Sequence, residues 1–152
     1  MSNQAASEFM VSDKMVFDSA QGIYVPKWKL EEKHRSYGSE YYIHYFRQKT
    51  NEYKIIPVHF YFHYGTAHLQ YICEYAPERV QNLLNNGNIY YYLAKMNRRA
   101  TIAVEDQVEK WKKTESDYLL AVKNKDFLTQ VGLFENMKAR AEELMFPSIV
   151  YA

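Results

Sequence analysis

Cysteine is nearly absent from this 152-residue chain. Cys73 stands alone, which excludes an intramolecular disulfide and any zinc site built on several cysteines. Because it lies in a tyrosine-rich apolar segment, it is expected as a buried thiol rather than a nucleophile. Net charge is nearly absent too. The 19 Lys+Arg face 18 Asp+Glu for a formal +1, so no global field steers the protein toward nucleic acid. No apolar run approaches the roughly 20 residues that span a bilayer, and the opening MSNQAASEFM lacks a basic-then-apolar signal pattern. A cytoplasmic protein without a membrane partner is expected. Glycine (5) and proline (4) are scarce, so each occurrence punctuates the pattern. No Gly-rich phosphate loop, nucleophile elbow or CxxC pair occurs. The sequence therefore offers no support for catalysis, for a cofactor or for a small-molecule substrate.

What is abundant is tyrosine: 15, beside 8 Phe and 2 Trp. Tyrosine carries an apolar face and a polar tip, which suits contact surfaces as well as cores. With 47% apolar residues, a chain of this length can bury a core as one domain, and residues 1–152 are read as one. The charge is unevenly spread. Residues 1–58, 59–100 and 101–152 carry +1, +2 and −2, so any nucleic-acid contact must rest on a local patch.

Residues 1–12 read as a loosely docked leader, disordered up to about 14. Met15–Phe17 and Ile23–Val25 read as a hairpin with Gly22 at positive φ, and Pro26 confines the second strand to an edge or to its own end. A charged stretch, Lys27 to Lys33, follows. Residues 41–46 and 53–58 read as a second hairpin, with Pro57 blunting an edge; a helix over 40–47 is the competing reading. From His59 the periods turn helical: a helix to about Tyr75, a restart at Pro77, and a stop at Asn85–Asn88 with Gly87 as the αL cap. A long helix over 89–115, a short one over 117–123 and a last one over 126–145 complete the chain. The apolar tail 148–152 is expected to pack back or pair as a strand. These elements predict an α+β fold, with N-terminal β-hairpins packed on a mainly helical bundle around one long central helix.

Three stretches resemble a family of short transposon-encoded proteins, the TnpV family. The first is Gly22-Ile-Tyr-Val-Pro26 with Leu30. The second runs from Tyr64-Gly65 and His68 through Tyr75-Ala-Pro-Glu-Arg79 and Leu83-Leu84-Asn-Asn-Gly87 to Tyr92-Leu93-Ala94. The third holds Asn136-Met137, Arg140-Ala141-Glu142-Glu143 and the closing Ile149-Val150-Tyr151-Ala152. The resemblance spans residues 15–30 and 60–152, with 31–58 as an apparent insertion. It departs from the family pattern at Tyr64 and near Phe127 to Val131, where the family has tryptophan. It implies a mobile-element accessory protein, with no established activity attached.

Two surfaces are candidates for binding. The helices either side of Asn85–Asn88 are similar in layout to a helix-turn-helix, whose second helix would present Asn88, Tyr91, Lys95, Arg98 and Arg99 to DNA. The alternative is a plain helical hairpin inside a bundle. Tyr37, Tyr41, Tyr45, Arg47 and Tyr53 could instead form a protein-binding surface, or simply cover the helical core. His59 and His63 are four apart with His68 beyond, yet position 60 is Phe where an HExxH zinc helix needs Glu; histidines partly buried among tyrosines explain them, and no metal site is expected. The expected partner is DNA or a nucleic-acid-processing protein. The alternative function is an inhibitor carried by a phage or mobile element, docking on a host defence protein such as a CRISPR effector.

Overall fold

The computed structural model describes residues 7–36, 38–58 and 63–152. By internal contacts the chain divides into two compact units, Met1–Lys95 and Met96–Ala152. The fold is α+β. Among the described residues six strands, β1 (Ser7–Val11), β2 (Met15–Asp18), β3 (Ile23–Pro26), β4 (Trp28–Arg35), β5 (Gly38–Arg47) and β6 (Glu52–Pro57), precede five α-helices. These are α1 (His63–Tyr75), α2 (Pro77–Asn85), α3 (Ile89–Thr114), α4 (Ser116–Lys123) and α5 (Phe127–Met145).

In the first unit the strands form a four-stranded antiparallel sheet, order β1-β4-β5-β6, and a separate β2-β3 hairpin. The hairpin forms as its sequence dictates. Gly22 takes φ +70 and donates its N–H to the Asp18 carbonyl at 2.8 Å, and the Asp18 carboxylate accepts from the Ala20 and Gln21 amides. Pro57 ends the outer strand β6, as an edge proline should.

Two expectations are corrected. The supposed leader holds β1, whose Phe9 and Met10 pair with Glu31 and Leu30. The charged stretch from Lys27 is an inner strand, because β4 alternates: Trp28 and Leu30 are buried in the core while Lys29 and Lys33 take the other face. Strand alternation with period 2 sorts such a segment although half of it is charged. Residues 31–58, read as an insertion, supply most of β4 and all of β5 and β6, and with them Ile43 and Val58 of the core. His59, where the first helix was expected to begin, lies outside the described residues.

The core of this unit joins Trp28, Leu30, Ile43 and Val58 to Leu69, Ile72 and Cys73 of α1, Val80 and Leu84 of α2, and Ile89 and Leu93 of α3. Cys73 is buried, and burial pushes its thiol pKa up to about 12, so it is no nucleophile at neutral pH.

The second unit comprises the rest of α3, then α4, α5 and a π-helical turn, Phe146–Val150. Ala100, Val104 and Val108 recur every fourth residue along the buried side of α3, as do Met137 and Ala141 on α5. The Arg140 guanidinium lies 4.5 Å from the Trp111 ring and donates to Glu115 at 2.7 Å, and the Lys112 ammonium lies 4.7 Å from the Phe134 ring. Glu109 pairs with Lys112 at 3.2 Å, not with the Lys113 that a four-residue spacing favours. The tail forms no strand; Ile149 and Val150 are buried within the π turn.

Candidate nucleic-acid interface

The turn between α2 and α3 is built by one glycine. Gly87 sits at φ +70, its N–H bonded to the Leu84 carbonyl at 3.2 Å, and the Asn88 N–H reaches back to Leu83 at 3.0 Å. That pair of bonds is the Schellman arrangement, which satisfies the last carbonyls of a helix when a left-handed residue follows it. The Asn88 carbonyl then accepts the first bond of α3, from Tyr92 at 2.8 Å. Pro77 at the head of α2 has no N–H to leave unsatisfied.

A hydrogen-bonded relay, buried at His68, fixes the three helices of this region. His68 of α1 is wholly buried, and its Nε2 lies 2.7 Å from the Tyr92 hydroxyl of α3. Arg79 of α2 donates Nη2 to the same hydroxyl at 2.6 Å. Arginine only donates, so the Tyr92 oxygen accepts from Arg79 and its proton is free for His68. Of the three histidines considered for metal, His68 faces this relay, His63 is exposed and His59 lies outside the described residues.

On this frame α3 presents a charged, aromatic stripe. Asn88, Tyr91, Lys95, Arg98 and Arg99 are all exposed, Tyr91 by 71%. Steps of three and four residues keep them on one side of the helix over about 16 Å. No ion pair holds Lys95, Arg98 or Arg99 among the described residues. The surrounding sequence adds a signal that spacing alone missed: residues 79–104 contain no Asp or Glu but hold Arg79, Lys95, Arg98 and Arg99. The first turn of α3 likewise has no acid to offset the positive end of its dipole.

The tyrosines read as a second surface are not brought together. Tyr41 and Tyr45, four apart on β5, share the core-facing side of the sheet, whereas Tyr53 pairs with Phe46 and so takes the opposite side. All three are half-buried and their hydroxyls are occupied. Tyr41 bonds Glu32 at 3.0 Å and accepts from Gln70 at 2.8 Å; Tyr45 donates to Asn85 at 2.9 Å; Tyr53 donates to the Pro26 carbonyl at 2.7 Å. Burial, then the hydrogen bond and charge of Glu32, raise the Tyr41 pKa. Arg47 is exposed at the strand end, and Tyr37 lies outside the described residues.

The side of the sheet away from the core carries a ring cluster that the sequence did not reveal. His44 meets Phe9 and Tyr53 edge-on and pairs with Glu31 at 3.0 Å, while the Lys29 ammonium lies 4.4 Å from the Tyr53 ring. Glu8, Glu32 and His34 also gather at one end of β1 and β4, where His34 lies 3.7 Å from Glu8 and 3.9 Å from Glu32. The contact with Glu8 runs across the β1–β4 pairing, whereas Glu32 and His34 lie on the same strand.

Fold and surface together define a small α+β protein that displays an unpaired basic face on a helix following a tight glycine turn. No helix among the described residues is long and apolar enough to cross a membrane. The chain belongs to the family of transposon-encoded protein TnpV, whose family model matches residues 58–150. The match covers α1 to α5, and with them the α2–turn–α3 region and its relay. The Gly22–Leu30 stretch lies outside it. No curated protein and no solved structure gives a significant match.

Proposed function

We propose that this protein is a non-enzymatic accessory factor of a mobile element that binds duplex DNA through the N-terminal half of α3. The observation behind this reading is the acid-free run 79–104, which places three unpaired cations, Tyr91 and Asn88 on one exposed stripe. Lysine and arginine meet phosphates, and asparagine or arginine can read base edges in a major groove. Three phosphate contacts make the affinity modest and salt-sensitive, with log K falling against log salt at a slope of about −3. Titrating a labelled duplex over a range of salt concentrations tests this. The Arg98→Ala/Arg99→Ala double variant should bind more weakly at low salt and flatten the slope to about −1. No duplex binding at low salt would end the proposal.

A second reading, an anti-defence inhibitor that docks on a host nucleic-acid-processing protein, draws on the other side of the sheet. Phe9, Val11 and Ile55 are each about half exposed there. A host protein captured even after nuclease treatment, and lost on Phe9→Ala but not on Arg98→Ala/Arg99→Ala, would favour it.

A further inference from the structure

Of residues 116–133, which form α4, its turn and the first part of α5, only Ala121 is buried. The segment is nevertheless well formed. Asp126 caps α5 by accepting from the Thr129 amide at 3.2 Å, and its own N–H reaches the Ala121 carbonyl at 2.9 Å. Six large apolar side chains face solvent: Leu119, Leu120, Val122, Phe127, Leu128 and Val131, from 46% exposed at Leu119 and Val122 to 88% at Leu128. An eight-residue helix is marginal in water by itself, and monomeric proteins rarely leave so contiguous an apolar stretch open.

We infer that this helical hairpin is the contact by which two copies of the chain associate about a two-fold axis. Charge and area both point to a second copy. Along α4, Asp117, Leu120 and Lys123 stand three residues apart on one exposed stripe, with the acid in the first turn and the base in the last. Neither charge has an ion-pair partner among the described residues. An antiparallel pairing centred on Leu120 sets each Asp117 opposite the partner's Lys123, about 9 Å from the first to the last position of the stripe. At roughly 60–120 Å² of apolar area per large side chain, the six residues give about 500 Å² per copy. Two copies then reach the roughly 1,000 Å² that a specific interface has to clear. A DNA partner does not suit an apolar patch with balanced charges, and the inference does not depend on α3 binding DNA.

Sedimentation velocity on the full chain, without DNA, tests it. The wild type should sediment as a dimer of 18.1 kDa chains across the micromolar range, and Leu120→Glu should be monomeric with an unchanged circular dichroism spectrum. Asp117→Lys should weaken association about tenfold, and adding Lys123→Asp to it should restore the dimer. The charge variants keep the test open if Leu120→Glu fails to fold. A wild type that stays monomeric, a dimer indifferent to Leu120→Glu, or a double swap no tighter than the single one overturns the inference.

Discussion

The Tyr92 hydroxyl joins buried His68 at 2.7 Å, and this bond ties α1 to the start of α3 across 24 positions of sequence. Its removal leaves a buried ring nitrogen without that partner, which costs about 1–3 kcal/mol. Tyr92→Phe should lower stability by that amount in urea unfolding, whereas Tyr91→Phe, on an exposed ring, should stay within about 0.5 kcal/mol of wild type.

Gly87 holds the turn ahead of the proposed DNA face. A Cβ there would meet nothing within 4 Å, so only its φ of +70 resists substitution. Gly87→Ala should cost about 1–2 kcal/mol and Gly87→Asn less, since asparagine tolerates the left-handed region. Equal losses in thermal unfolding would show that something other than backbone conformation is at stake.

Ile43 is fully buried on β5, within the segment that the resemblance treats as an insertion. Ile43→Ala should destabilise the protein by about 2–5 kcal/mol, a loss measurable by urea unfolding. A near-neutral effect would mean that the sheet is dispensable to the helices it packs on.

Cys73 should resist alkylation in the folded protein and react readily in denaturant. Its pKa rises from the usual 9.0 to about 12 on burial, so the folded state keeps a proton that the unfolded chain releases. This contribution is full below pH 9 and is lost as pH rises toward 12, at up to about 1.4 kcal/mol per pH unit. The stability gap between wild type and Cys73→Ala should therefore narrow above pH 9; a constant gap in paired urea titrations would contradict the burial.

Asp126 has its pKa lowered by the Thr129 hydroxyl first and the Thr129 amide second. A depressed carboxylate stabilises the fold above its unfolded pKa and loses that effect as pH falls through the folded value. Asp126→Ala should lower the thermal midpoint at neutral pH but make little difference in strong acid.

The elements that could be read from the sequence are those whose causes are local. Gly22 and Gly87 act within a turn, Pro57 and Pro77 at the end and the head of their own elements, and the 3.6-residue period carries α3 without help from elsewhere. That is why all five stripe residues are exposed where their spacing placed them. β1 was missed because its pairing with β4 is remote, across the β2-β3 hairpin; β4 has a near partner in β5, from Arg35 and Gly38 onward, but hides its alternation under Lys29, Glu31 and Lys33. The tyrosines escaped for the same reason. The hydroxyl of Tyr45 finds Asn85, 40 positions away, and no pattern near Tyr45 reports it. The relay was only half visible, since His68 among tyrosines stood out while Arg79 did not.

Pro57 closes the outer flank of the sheet at Tyr42. Proline has no amide hydrogen to offer an incoming strand, so at that end the ladder is refused a further rung. Fibre-like growth, in which one molecule's sheet continues into the next, is disfavoured at this end of the flank.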